Sequence, residues 1–222
     1  MIKRLLLDLD STLYHPSVGM EADIIARMNA VVARLLGLPL DEAAELRRVS
    51  AKAYGTTLEW LMTEHGFDDP DGYYAEVHPE GEEYMLRPDP ALRATLEAIE
   101  LPKAIFTNAP AEHAERVIRR LGLEGVFDRV FDIRWSGNRG KPHAEAFRRV
   151  CTELGVDPRE TVFVDDIPRY VAGFIACGGH GVLIDHDDRR PDADMVRVRS
   201  LAELGPLIRD GAFAWRQAGM FD

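Results

Sequence analysis

The sequence predicts an α/β protein, a parallel Rossmann-like sheet with helices on both faces and an all-helical cap inserted after the first strand. Three observations predict it. Short apolar runs alternate with segments of helical periodicity through most of the chain, the pattern of a parallel sheet covered on both faces. A single interval of more than seventy residues, directly after the first run, carries helical patterns and no strand pattern. At 222 residues and 46% hydrophobic content, the chain is long and apolar enough for one sizeable core plus a second lobe.

In chain order, "KRLLLDL" (3–9), "KAIFT" (103–107), "DRVFDI" (128–133), "TVFVD" (161–165) and "HGVLID" (180–185) read as buried strands, and "MVRVRS" (195–200) as an added edge strand. Helical patterns at 89–99, 111–122, 142–155 and 168–177 separate them, and "LAELGPLIRD" reads as a last helix. The long interval reads as helices at 20–36, 41–54, 57–65 and 69–77, punctuated by "GLPL", "YGTT" and "HGFDDPDG". The expected division is therefore a catalytic core of 1–14 and 88–222 and a cap of 15–87, the chain returning through "LRPDP" (86–90).

Lys and Arg number 27 against 38 Asp and Glu, a net charge of −11. An acidic surface offers no footprint for a nucleic-acid polymer or an anionic membrane, whereas a small phosphorylated substrate needs only a local cationic pocket. Cys151 and Cys177 show no paired spacing and read as small apolar residues in a reducing compartment. "MIKRLLLDLD" meets acids too early for a signal peptide, and no run approaches the roughly 18 apolar residues of a membrane span. A cytoplasmic location is expected. The tail "AFAWRQAGMFD" is apolar enough to pack against the core or a second subunit, and the oligomeric state is not readable.

Ligands of an open parallel sheet bind outside the carboxyl ends of its strands. Those ends read Asp8-Leu9-Asp10-Ser11-Thr12 after the first strand, Thr107-Asn108 after the second and Asp165-Asp166 after "TVFV", while "GNRGKPH" carries Lys141. Four acids, a hydroxyl, an amide and a lysine on one rim suit phosphoryl transfer. One carboxylate attacks phosphorus, a second protonates the leaving oxygen, and a hard cation offsets the clustered charge. Lysine and a hydroxyl position and neutralise the phosphoryl oxygens.

"DLDST", "FTN", "GKP" and "VFVDD", in that order, resemble the four signature motifs of the haloacid dehalogenase-like superfamily, whose phosphatases share the D-x-D-x-T opening. "YGTTLEWLMTEHG", "VHPEG", "LRPDPALRATLEAIELPKAIFTNA" and "AERVIRRLGLEGVFDRVFDI" extend the likeness, over nearly the whole chain, to its pyrimidine 5'-nucleotidase branch. The resemblance implies that Asp8 is the nucleophile, Asp10 the general acid/base, Thr107 with Asn108 the phosphoryl holder, and Lys141 the stabiliser of Asp8 and the transferred charge. It also implies Mg2+ bound by Asp8, the backbone carbonyl of Asp10 and Asp166, with Asp165 assisting directly or through water. Two positions depart from the pattern: Ser11, where the branch usually has Asn, and Tyr170, where the fourth motif often has Asn.

The leaving group must be chosen by the lid, where Tyr54, Thr56, Thr57, His78 and Tyr84 are candidates and an aromatic ring could stack on a base. His180 and His186 beside "DHDD" lack the spacing of a compact metal site and read as a solvated loop. A dehalogenase has no need of Asp10. A phosphomutase or sugar-phosphate phosphatase of the same superfamily is the near alternative, and a phospho-accepting signalling module the remote one. The expected activity is hydrolysis of small phosphomonoesters, foremost pyrimidine nucleoside 5'-monophosphates.

Overall fold

The computed structural model describes residues 1–190 and 194–210; the apolar tail lies outside them. Six strands form one all-parallel sheet: β1 (Arg4–Leu7), β2 (Lys103–Phe106), β3 (Arg129–Phe131), β4 (Thr161–Asp165), β5 (His180–Ile184) and β6 (Val196–Val198), in the order β3-β2-β1-β4-β5-β6. Every residue of β2 and β4 is buried, as strands covered on both faces must be. The strand order reverses between β1 and β4, so the crevice beyond their carboxyl ends is the switch point where such sheets bind ligands. Asp8 follows β1 directly, and Asp165 ends β4.

Between β1 and β2 lie α1 (Met20–Leu36), α2 (Leu40–Tyr54), α3 (Thr57–His65), α4 (Pro70–Val77) and α5 (Pro90–Glu97). Local chemistry sets several of their starts. Thr56 caps α3 by accepting from the Glu59 N–H, and Asp69-Pro70 and Asp89-Pro90 open α4 and α5 with an aspartate cap and a proline in the first turn. α6 (Ala111–Leu121), α7 (Ala144–Glu153) and α8 (Pro168–Ala176) connect the remaining strands as far as β5, and α9 (Leu204–Arg209) follows a short turn with a Ser200–Glu203 capping box.

One apolar cluster runs from the sheet residues Leu5, Leu7 and Val164 through Met20 and Ile24 of α1 to Trp60 and Leu61 of α3. A second, on the other face, packs Phe106, Phe147, Phe163 and Phe174 with Leu6, the rings of Phe106–Phe147, Phe147–Phe163 and Phe163–Phe174 meeting edge to face. The inserted helices α1–α4 therefore share a core with the sheet. Among the described residues no helix is long and apolar enough to cross a membrane.

Candidate active site

Three carboxyls converge at the switch point. Oxygens of Asp8, Asp165 and Asp166 lie within 4.8 Å of one another. Lys141 Nζ donates to Asp8 Oδ1 and Asp165 Oδ2, each at 2.6 Å, and is 1% exposed. Thr12 Oγ1 donates to the other Asp8 oxygen at 3.2 Å. Burial pushes the Asp8 carboxyl up; Lys141 pulls it down, and Asp165 and Asp10 push it up again, with a net rise. Burial likewise raises Asp165, and burial with the charge of Asp165 raises Asp166 well above the carboxylate range. Lys141 responds oppositely: burial works against its charge, but Asp165 and Asp8 outweigh it and hold the proton on. Ionised together, the three carboxyls would outnumber the one ammonium and present hard oxygen donors with surplus negative charge.

Lys141 is placed by a residue that carries no charge. Asn108 Nδ2 donates to the Lys141 carbonyl, and the Lys141 N–H donates to Asn108 Oδ1, both at 2.9 Å. Gly140 makes this approach possible, because a Cβ there would fall 2.2 Å from Asn108 Oδ1 and 2.9 Å from Ile133 Cδ1. Thr107 is buried at the end of β2, its Oγ1 accepting from the Ala109 N–H at 3.0 Å. Tyr170, at the position where the fourth motif often has asparagine, sets its ring 5.2 Å from Lys141 Nζ and its hydroxyl on the Gly55 carbonyl at 3.3 Å. Phe106 and Phe163 complete an aromatic sleeve around the ammonium.

Asp10 sits apart from this cluster in a different environment. Its Oδ1 accepts from Tyr14 Oη at 2.7 Å and lies 2.7 Å from His113 Nε2. Burial opposes its charge, but the His113 imidazolium and the hydrogen bonds from His113 and Tyr14 prevail and hold the carboxyl at about 2. Its side chain is still 23% exposed, so a ligand can reach it. Two acids two residues apart thus occupy opposed settings, the arrangement by which one site gives two carboxyls different tasks.

A family model described as haloacid dehalogenase-like hydrolase matches residues 2–178. The chain belongs to this family. It is 30% identical to "Glyceraldehyde 3-phosphate phosphatase" of Methanocaldococcus jannaschii over 75% of this chain and 77% of that protein. It is 26% identical to "Validoxylamine A 7'-phosphate phosphatase" of Streptomyces hygroscopicus subsp. limoneus over 95% and 94%. Among solved structures, a haloacid dehalogenase-like phosphatase from Thermococcus onnurineus matches with a TM-score of 0.65 at 25% identity, covering 93% of this chain and 98% of that one. The L-2-haloacid dehalogenase of Xanthobacter autotrophicus shares the fold, with a TM-score of 0.59 at 18% identity over 95% and 100% of the two chains.

In this haloacid dehalogenase-like hydrolase the inserted helices meet the carboxyl-end rim of the sheet at the Gly55 turn between α2 and α3. Arg169 donates to the carbonyls of Ala51, Lys52 and Gly55, a cation at the exposed carbonyl end of α2. His143 Nε2 lies 2.7 Å from Glu59 Oε2 and 3.0 Å from the Tyr54 carbonyl. The side chains that flank this turn are engaged elsewhere. The Tyr54 hydroxyl donates to Glu64. Thr57 is buried within the inserted helices, its hydroxyl accepting from Arg47 Nη1 at 3.3 Å. Thr56 caps α3, and Tyr84 is 70% exposed.

Ser11 adopts a left-handed φ of 56°, a conformation that asparagine tolerates better, and is tethered through its hydroxyl to Glu21 at 2.8 Å. His186, read from the sequence as part of a solvated loop, is half-buried with Nε2 3.0 Å from the Ser11 carbonyl, where it props the loop after β1. His180 Nε2 lies 2.9 Å from the Arg159 carbonyl, away from the rim.

The sequence reading passed over His113, Glu82, Tyr14, Arg169 and His143. The available signal for His113 was a single ionisable residue on the buried stripe of α6, which otherwise holds Ala114, Val117, Ile118 and Leu121.

Proposed function

We propose that this haloacid dehalogenase-like hydrolase is a Mg2+-dependent phosphatase of small phosphomonoesters, working through an aspartyl phosphate on Asp8, with 1–14 and 88–222 as its core and 15–87 as its cap. The observation that carries the proposal is the pairing of a three-carboxyl cluster against Lys141 with a second, separately held acid, Asp10. A dehalogenase would leave Asp10 without a task.

The donor set suits Mg2+: hard carboxylate oxygens, mutually repelling, with one ammonium to offset them. Asp8, Asp166 and the backbone carbonyl of Asp10 would hold the ion, with Asp165 directly or through water. When bound, the ion compensates charge on the carboxylates and on the phosphoryl oxygens. An Asp8 oxygen attacks phosphorus, and the bond from phosphorus to the leaving oxygen breaks. Asp10 gives that oxygen its proton. The like charge of an arriving phosphate favours the protonated form of Asp10 that this step needs. Water then attacks the acyl phosphate, Asp10 takes its proton, and inorganic phosphate leaves. Lys141 keeps its charge throughout and faces both Asp8 and the transferred group. Thr107 contributes its hydroxyl to the phosphoryl oxygens, while Asn108 serves mainly by placing Lys141.

For the leaving group we favour a sugar or polyol over a nucleoside. A cleft of about 240 Å3 beside Asp10's partner His113 is lined by Asp71, Tyr74, His78, Glu112, Arg116 and Arg134, donors and acceptors suited to hydroxyl groups. The relatives named above, phosphatases of a triose phosphate and of a sugar-like phosphate, support the same class. The pyrimidine nucleotide reading, with Tyr54 and Thr57 as contacts, rests on the resemblance of the lid phrases, and Thr57 is buried against Arg47 within the insertion. A metal-dependent phosphate-release screen tests both. Hexose, triose and polyol phosphates should exceed UMP and CMP by about 10-fold in kcat/KM, and the reverse order would restore the nucleotidase reading.

A further inference from the structure

His113 is 0% exposed and bridges two carboxylates from different parts of the fold. Nε2 lies 2.7 Å from Asp10 Oδ1, and Nδ1 lies 2.6 Å from Glu82 Oε1. Ionised carboxylates only accept hydrogen bonds, so between two of them each ring nitrogen would act as the donor, and the two contacts hold the ring from both sides. Glu82 belongs to the inserted segment and is fixed in turn. Its Oε1 also faces His78 Nδ1 at 3.2 Å, and its other oxygen accepts from Arg27 of α1. Arg27 Nε donates to the Val77 carbonyl at 2.7 Å, and Arg116 of α6 donates to the His78 carbonyl at 2.9 Å and to Glu83 at 3.2 Å. His78, Glu82 and His113 are close enough together to suggest a second metal site. Arg27 on Glu82 and Arg116 at 3.7 Å argue against a cation there, since the carboxylate is already spent on positive partners.

We propose that His113 is a positioning residue for Asp10, and that through Glu82 the seating of the inserted helices sets where the general acid points. The inference rests on the phosphatase reading above. His113 and Tyr14 both take Oδ1, and among the described residues Oδ2 accepts no hydrogen bond and is left for proton transfer. Without His113, Tyr14 alone would fix a carboxyl that can then swing about its own bond. Because Glu82 reaches His113 only when the insertion is docked on α6, a displaced insertion would release Asp10 before any catalytic residue of the core had moved.

The test separates this role from a general loss of structure. Phosphoenzyme formation from p-nitrophenyl phosphate needs no protonated leaving group, whereas formation from an alkyl phosphate such as a hexose 6-phosphate does. Rapid-quench rates for both esters are measured in the Mg2+-loaded wild type, in His113→Gln, which retains a donor for Asp10, in His113→Ala and in Glu82→Gln. The ratio of the alkyl rate to the p-nitrophenyl rate should fall about 10- to 100-fold in His113→Ala, and by less in His113→Gln and Glu82→Gln. Equal slowing of both esters in folded His113→Gln, or an unchanged ratio in every variant, overturns the proposal. A wild type that forms no phosphoenzyme from either ester overturns the phosphatase reading, and the proposal with it.

Discussion

Asn108 holds Lys141 by its backbone from both sides, donating to its carbonyl and accepting from its N–H at 2.9 Å each. The ammonium that reaches Asp8 and Asp165 is therefore aimed by a neutral amide on the neighbouring strand end, and Gly140 is the residue that lets the two segments touch. Gly140→Ala should lower kcat by about 10- to 100-fold while changing KM little, because it shifts Lys141 without deleting a charged group. Steady-state kinetics check this. Wild-type kcat in the alanine variant would mean that the lysine does not depend on the amide for its position.

Removing the ammonium should destabilise the protein strongly. Lys141→Ala leaves Asp8 and Asp165 buried without their cation, and breaking such a pair costs about 3–5 kcal/mol. Urea unfolding should show that loss at neutral pH. Added Mg2+ should recover part of it, by binding where the lysine charge is missing.

The metal assignment has its own signature. EDTA should abolish turnover and Mg2+ restore it, and Mg2+ should raise the melting temperature of the wild type more than that of Asp166→Asn. Full turnover in metal-free protein would sink the assignment.

Glu82 predicts a stability profile at acid pH. Burial works against its charge, but hydrogen bonds from His113 and His78 and their charges lower its carboxyl to about 2, from an ordinary value of 4.5. A depressed carboxyl contributes stability that is complete above the unfolded value and is lost as pH falls through the folded one. Glu82→Gln should therefore be less stable than the wild type at pH 6, and the gap should shrink between about pH 4.5 and pH 2. Chemical denaturation across that range measures the gap; one that is constant with pH would show that the glutamate carries no such linkage.

Much of this was legible in the chain. Continuous apolar runs ended in Asp8, Thr107 and Asp165, and a strand end in a parallel sheet fixes where the next side chains go. The helices of the insertion were equally plain, because their caps and punctuation are local. What the insertion presents to the rim was not. Thr57 is the first residue of α3, and whether it faces the cleft or Arg47 depends on how three helices pack together. The His113–Glu82 contact joins residues 31 apart whose encounter is set by the docking of the insertion on α6. Periodicity could mark His113 only as an odd polar residue on a buried stripe. At Tyr170 the sequence showed a missing amide, and only the fold shows an aromatic ring set against the lysine in its place.

Whether Asp8 forms a covalent acyl phosphate is decided by acid quench during turnover, followed by proteolysis and mass spectrometry. Phosphate is expected on the peptide that contains Asp8, and none in freshly prepared Asp8→Asn. Asp10→Asn should still accumulate it from p-nitrophenyl phosphate, because loading then needs no acid while release needs a base. Phosphate found on Asp10, or persisting in Asp8→Asn, would rule out Asp8 as the nucleophile.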